Sequence, residues 1–438
     1  MKVQLQQPKR LEGALTPPGD KSISHRAAVL NAIAEGEARV ENYSPGGDCA
    51  STLRCLRALG VPLRRLALDG ASTPTVLIEG VGLGGLRESK GVLNAGNSGT
   101  TMRFLTGLLA AQPFFSVLTG DSSLRSRPMD REATPLRLMG AHIWGRQGGT
   151  RAPLAIQGGH LHGLEYDMPE ASAQLKSTLL LAGLFAEGET WLHQPALSRD
   201  HTERQLQAMG ASLTVDGLSL RLTPGPLKAV DIAVPADLSS AAFWLVATVC
   251  HPNARLTVRG AGVNPTRGGI LEVLSRMGAR ISFQNRREEG GEPVADIVAE
   301  SSELRAVEIS GDMIPLVIDE LPVLALAACF ARGTTVIRDA QALRVKETDR
   351  IQTTVQELAR LGADIRELPD GMEIRGTGRL QGAACRSHGD HRLAMTLGVA
   401  GLLAEGATVV QDAQVADVSY PTFWEHMAAL APHMATAS

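Results

Sequence analysis

Several stretches of the chain gather cations and hydroxyls where a loop runs into an apolar segment. Pro18-Gly19-Asp20-Lys21-Ser22-Ile23-Ser24-His25-Arg26 places Lys21, Ser22 and Arg26 around a loop-to-helix junction. Unpaired backbone amides and the helix dipole already favour an anion at such a junction. Asn94-Ala95-Gly96-Asn97-Ser98-Gly99-Thr100-Thr101-Met102-Arg103 repeats the design, and its glycines, Gly99 included, let N–H groups approach a phosphate without an intervening side chain. Gly120-Asp121-Ser122-Ser123-Leu124-Arg125-Ser126-Arg127-Pro128-Met129 follows a strand-like run and carries two arginines, whose forked donors suit phosphate and carboxylate. Ser172-Ala173-Gln174-Leu175-Lys176-Ser177 opens an apolar helix with uncharged donors, and Ser198-Arg199-Asp200-His201-Thr202-Glu203-Arg204 opens another helical stretch. Helix N-capping explains Ser172 and Ser198 equally well.

Farther along, Asp319-Glu320-Leu321-Pro322 starts an apolar helix, where the ordinary role of an acid is capping. Arg344-Val345-Lys346-Glu347-Thr348-Asp349-Arg350 sets Lys346 and Arg350 four apart on one helical face. That like-charge pair costs stability unless an anion lies between them, although Glu347 and Asp349 could instead neutralise it on a surface helix. Gly389-Asp390-His391-Arg392-Leu393-Ala394-Met395 brings another arginine to the start of the last apolar helix. If these helix starts converge on one cleft, the set suits a pair of polyanionic substrates handled by acid–base chemistry. Neither a metal-ligand set nor a cofactor motif accompanies it.

The elements that must position these residues recur. A polar start, an apolar helix, a Gly-containing turn and a β-branched strand appear six times, roughly 70 residues apart, clearly in Ser24–Val40, Ser177–Leu192 and Leu393–Val410. Gly36, Gly188 and Gly406 stand where a helix needs its C-terminal stop, and a weaker copy carries Gly333 in its turn. Apolar all round, as in Leu321–Phe330, these helices belong inside the molecule. The proline-bearing seams Thr16–Gly19 and Val234–Asp237 divide the chain into residues 20–236, and residues 1–19 with 237–438, giving three modules to each domain of an α/β fold.

Bulk properties narrow the partners. Over 438 residues, 43 basic and 46 acidic side chains leave a net charge of -3, too little for a chain-wide field that captures nucleic acid or an anionic membrane. The five cysteines are scattered without a C-x-x-C pair, which fits a reducing compartment, and the first 18 residues lack a signal-peptide pattern. A cytoplasmic protein is expected.

One phosphate-binding alternative is Gly80-Val81-Gly82-Leu83-Gly84-Gly85 after a strand-like run, a dinucleotide fingerprint in form. Its continuation leaves no full helix to meet a pyrophosphate, and Gly19-Asp20-Lys21-Ser22 lacks the spacing of an ATP loop. A noncatalytic repeat module is the other alternative; the many charged residues at helix starts make it the less simple account.

Taken in order, Pro18–Arg26, Asn94–Arg103, Ser172–Ser177, Ser198–Thr202, Leu343–Arg350 and Asp390–Met395 resemble the signature motifs of the 5-enolpyruvylshikimate-3-phosphate (EPSP) synthase family of enolpyruvyl transferases. The resemblance spans nearly the whole chain. It implies a two-domain inverse α/β barrel, each domain built from three βαβαββ-type repeats with buried apolar helices. It also implies transfer of the enolpyruvyl group of phosphoenolpyruvate to the 5-hydroxyl of shikimate 3-phosphate, in the shikimate pathway, by a monomer. Carried over residue by residue, Lys21, Ser22, Arg26, Ser172, Ala173, Gln174 and Arg199 would hold shikimate 3-phosphate, with Asp319 and Lys346 at its reacting hydroxyl. Lys21, Gly99, Arg127 and Gln174 would receive phosphoenolpyruvate, with Arg350 and Arg392 on its carboxylate. Asp319 would be the general base, and Lys21, Lys346 and Glu347 the candidates for proton delivery. Glyphosate, the family's familiar inhibitor, would occupy the donor's space. Asp417-Val418-Ser419-Tyr420-Pro421 departs from the pattern, because some members carry a basic donor contact there. The sister enzymes acting on UDP-N-acetylglucosamine usually carry a reactive cysteine or aspartate before an Arg-Pro; Ser122–Pro128 has no cysteine, and Asp121 lies at its far start.

Overall fold

The computed structural model describes residues 1–66, 74–431 and 435–437. The chain forms two compact units, one of Gly19–Val234 with Glu289–Glu292, the other of Met1–Pro18, Pro235–Glu288 and Pro293–Ser438. Pro18, Pro235 and Pro293 stand at three of the four changes of unit. Each unit has its own apolar core.

Six helices lie deep in these cores: Lys21–Ala32, Gly99–Ala110 and Ala173–Gly183 in the first unit, and Leu238–Cys250, Leu321–Cys329 and His391–Gly401 in the second. Every residue of Leu321–Cys329 is buried, so this helix needs no polar face. Small residues allow close approach. A Cβ on Gly107 would fall 2.4 Å from the carbonyl oxygen of Thr178, so only glycine lets these two helices meet as they do.

Among the described residues there are six four-stranded sheets, three per unit. The strand that follows each buried helix pairs in parallel with an edge strand: Glu35–Glu41 with Ile232–Ala233, Phe115–Thr119 with Leu93–Asn94, Thr190–His193 with Glu165–Asp167, Ala254–Gly262 with Leu11–Leu15, Thr334–Ile337 with Glu308–Ile309, and Ala407–Gln411 with Ala384–Arg386. Its other neighbour runs antiparallel, and in the sixth sheet that neighbour is the N-terminal strand Lys2–Gln6.

The turn glycines work differently from the helix stops expected of them. The C-caps are Ile33, Leu184, Phe330 and Leu402, and Gly36, Gly188, Gly333 and Gly406 come three or four residues later. Their φ values of 109°, 90°, 106° and 84° turn the chain into the strand, a conformation costly for other residues.

No helix among the described residues is long and apolar enough to cross a membrane. All five cysteines are free thiols, and burial pushes the Cys55 thiol up to about 11. From Val81 to Ser98 the chain forms no helix, and a Cβ on Gly80 would meet the Ala34 carbonyl oxygen at 2.3 Å. That glycine serves strand packing, and the dinucleotide reading has no helix to rest on.

Candidate active site

In the first unit most candidate residues stand at the starts of its three buried helices, whereas Arg127 follows the short helix Ser122–Ser126 and Arg199 precedes helix His201–Ala208. Asp20, Ser98 and Ser172 are the N-caps, accepting from the amides of Ile23, Thr101 and Leu175, so Ser172 has the capping role open to it. Ser198 does not: the N-cap of helix His201–Ala208 is Asp200, and the Ser198 hydroxyl donates to Gln194 Oε1 at 2.6 Å. Arg199 is half-buried beside that cap.

Hydrogen bonds join most of the remaining set. Lys21 Nζ pairs with Asp48 at 2.9 Å. Arg26 is buried and donates through Nε to Thr202 Oγ1 (2.6 Å), through Nη1 to the Ser22 carbonyl (2.9 Å) and through Nη2 to Ser177 Oγ (2.9 Å). Its guanidinium also lies over the Phe104 ring, 4.9 Å from the centroid. A planar fork gripped on three sides is fixed before any ligand arrives. Gln174 Nε2 donates to Thr100 Oγ1 at 2.9 Å, and Arg127 Nη2 to Asn97 Oδ1 at 2.7 Å. A Cβ on Gly99 would fall 3.4 Å from Arg127 Nη1 and 2.6 Å from Arg103 Nη1. The bare backbone of Gly99 therefore faces two guanidinium groups.

The second unit holds a denser charge cluster. Asp319 lies 3.6 Å from Lys346 Nζ, 3.7 Å from Arg350 Nη1 and 3.8 Å from Arg392 Nη2, and its carbonyl accepts from Arg392 Nη1 at 3.1 Å. Two more carboxylates orient Arg350: Asp390 meets Nε at 2.7 Å and Glu347 meets Nη2 at 2.5 Å. Burial works against the Arg350 charge, but Asp390 and Glu347 outweigh it and hold its pKa above the ordinary arginine value. Burial likewise disfavours the Asp390 carboxylate, and Arg350 more than compensates, keeping its pKa below the usual range.

Two expectations fail here. Lys346 and Arg350 do not share a helical face, because a 3-10 turn ends at Val345, Lys346 is extended, and the helix begins only at Arg350 behind the N-cap Asp349. Three carboxylates, Asp319, Glu347 and Asp390, meet the cations. Nor does Asp319 cap the next helix: the N-cap position falls on Glu320 and makes no side-chain cap bond. Asp319 turns to the cations instead.

Sequence reasoning passed over Asp48, Asn97, Thr100, Ser177 and Thr202 as partners, and Glu320, whose carboxylate lies 3.6 Å from Arg392 Nη1. All but Asp48 lie inside or beside quoted motifs, whereas nothing in the spacing links Asp48 to Lys21. At the departure near the C-terminus, Tyr420 is a core residue whose hydroxyl accepts from Trp244 Nε1 at 3.0 Å and bonds His426 Nδ1 at 2.7 Å.

Residues 5–427 match the model of the family described as EPSP synthase (3-phosphoshikimate 1-carboxyvinyltransferase). The chain belongs to the EPSP synthase family. Among EPSP synthases it is 55% identical to the 3-phosphoshikimate 1-carboxyvinyltransferase of Gloeobacter violaceus over 422 residues, 96% of each chain. It is 53% identical to that of Herpetosiphon aurantiacus over 433 residues, covering 98% of this chain and 99% of the relative. The solved EPSP synthase of Acinetobacter baumannii shares the mixed α/β fold at a TM-score of 0.87 and 42% identity over the full length of both chains.

Proposed function

We propose that the protein transfers the enolpyruvyl group of phosphoenolpyruvate to the 5-hydroxyl of shikimate 3-phosphate and releases phosphate, as an enzyme of the shikimate pathway. The observation that carries this reading is Asp319 among Lys346, Arg350 and Arg392, within a family match that runs almost end to end. A carboxylate beside three cations is a base placed among groups that attract anionic substrates.

In this reading Ser22, Arg26, Ser172, the Ala173 amide, Gln174 and Arg199 hold shikimate 3-phosphate. Lys21 touches both substrates. Gly99, Arg127 and Gln174 receive the phosphate of phosphoenolpyruvate, and Arg350 and Arg392 its carboxylate. Asp319 removes the hydroxyl proton as that oxygen attacks C2, while C3 gains a proton. The resulting tetrahedral adduct then loses phosphate with the former bridging oxygen as C3 gives its proton up. Lys21, Lys346 and Glu347 are the groups available to move protons and to offset developing charge.

The six sheets, each following a buried helix, support six βαβαββ-type repeats, three to a domain, with each domain an inverse α/β barrel. The domains are taken as 20–236, and 1–19 with 237–438. A cytoplasmic monomer without a cofactor completes the reading.

The UDP-N-acetylglucosamine reading loses its remaining candidate residue. Asp121 caps the short helix Ser122–Ser126 through the Leu124 amide and accepts from Asn97 Nδ2 at 2.7 Å. The test is phosphate release from phosphoenolpyruvate with each acceptor in turn. Release is expected with shikimate 3-phosphate alone; release with UDP-N-acetylglucosamine instead would reverse the choice.

A further inference from the structure

Lys176 is fully buried in helix Ala173–Gly183, an unusual place for an ammonium group. Its Nζ lies 2.5 Å from Glu203 Oε1 and donates to Gln194 Oε1 at 3.1 Å and to the Ser198 carbonyl at 3.4 Å. An ammonium has three protons, and each has an acceptor. Glu203, Gln194 and Ser198 are themselves buried. Burial pulls the Lys176 pKa down, Glu203 opposes this, and Arg26 adds to the lowering.

Next in the chain, Ser177 Oγ lies 2.6 Å from Thr202 Oγ1. Two neighbouring residues of one helix thus grip two neighbouring residues at the start of another. Between the gripped points runs the segment 194–203, which contains Arg199. At the start of the gripping helix stand Ser172 and Ala173. A core of leucines would fill this space without removing charge from water, and buried ion pairs bring no stability advantage over apolar groups of similar volume. What the ammonium adds is direction, because it ties one helix to three fixed acceptors of the neighbouring segment.

We infer that Lys176 is a positioning residue, which through Glu203, Gln194 and Ser198 sets the spacing between Arg199 and the Ser172–Ala173 helix start and so governs affinity for the phosphate of shikimate 3-phosphate. This rests on the substrate reading above. The test replaces both charges, Lys176→Met with Glu203→Met, so that neither is left buried alone. Cooperative thermal unfolding should persist, the KM for shikimate 3-phosphate should rise about tenfold, and kcat and the KM for phosphoenolpyruvate at saturating acceptor should change less than about threefold. A purely structural pair would lower the melting temperature and leave the acceptor KM alone. Should the double variant fail to fold, Gln194→Met carries the test through a rise of about threefold in the same KM. Parental KM in a folded double variant, or in Gln194→Met, overturns the inference. Failure of the parent protein to turn over shikimate 3-phosphate overturns the substrate reading instead.

Discussion

Asp319 is held by cations on three sides, at 3.6, 3.7 and 3.8 Å, so its charge belongs to a network rather than to a single pair. Asp319→Asn keeps the shape and removes the proposed base. Turnover should fall by about 10²-fold or more while shikimate 3-phosphate still binds, as measured by phosphate release beside calorimetry. Near-parental turnover would take the base role away from Asp319. At Gly99 the geometry changes the reason for an effect. An added methyl would fall 2.6 Å from the guanidinium end of Arg103, which must shift, and in ordinary contact with that of Arg127 at 3.4 Å. Gly99→Ala should therefore crowd the proposed donor site beside Arg127, raising the KM for phosphoenolpyruvate and weakening glyphosate together; equal glyphosate potency in variant and parent would contradict this placement. The identity of the cations was legible at this scale because each stands in an ordered motif. Their pairing was not, because it depends on where the helix starts. Had the helix begun before Lys346, Lys346 and Arg350 would share a face; beginning at Arg350, it turns Lys346 and Arg350 to Asp319 instead.

At the scale of elements, buried helices such as Leu321–Cys329 were readable from their uniform apolarity, whereas Lys21–Ala32 also buries His25, Arg26 and Asn31. Their mutual spacing was not, since it turns on contacts such as Gly107 against Thr178. Gly107→Ala should destabilise the protein by about 1–3 kcal/mol through overpacking, seen as a lower melting temperature. Helix Lys21–Ala32 carries a further consequence. His25 is 1% exposed, with Nδ1 2.7 Å from Thr52 Oγ1 on helix Gly47–Ala58. Burial pushes its pKa down to about 3, with Asp48 opposing and Lys21 and Arg26 reinforcing. Below its ordinary pKa of 6.5 the unfolded chain takes up a proton that the native state refuses until about pH 3. The stability associated with neutral His25 is therefore complete above pH 6.5 and declines as pH falls, by at most about 1.4 kcal/mol per unit. His25→Gln should flatten this dependence, and urea midpoints for parent and variant at about pH 7 and 5 measure it. Equal pH slopes would remove His25 as the cause.

For the whole molecule, proline seams were visible in the sequence, but the return of Glu289–Glu292 to the first unit was not. Gly290-Gly291 marks a hairpin turn but not the unit that its tip joins, and that membership follows from partners such as His201 Nδ1, 2.7 Å from Glu292 Oε1. The proposed ligands are divided, with Lys21, Arg26, Gly99, Arg127 and Ser172 in one unit and Asp319, Lys346, Arg350 and Arg392 in the other. Phosphoenolpyruvate should accordingly bind more tightly when shikimate 3-phosphate is present, and calorimetry should return the same factor with the order reversed. The most direct test of enolpyruvyl transfer follows the bridging oxygen of phosphoenolpyruvate, labelled with oxygen-18, through turnover with shikimate 3-phosphate. Breaking of the carbon–oxygen bond predicts that the released phosphate carries the label and the product does not; unlabelled phosphate would mean that the phosphorus–oxygen bond breaks, and would contradict the mechanism.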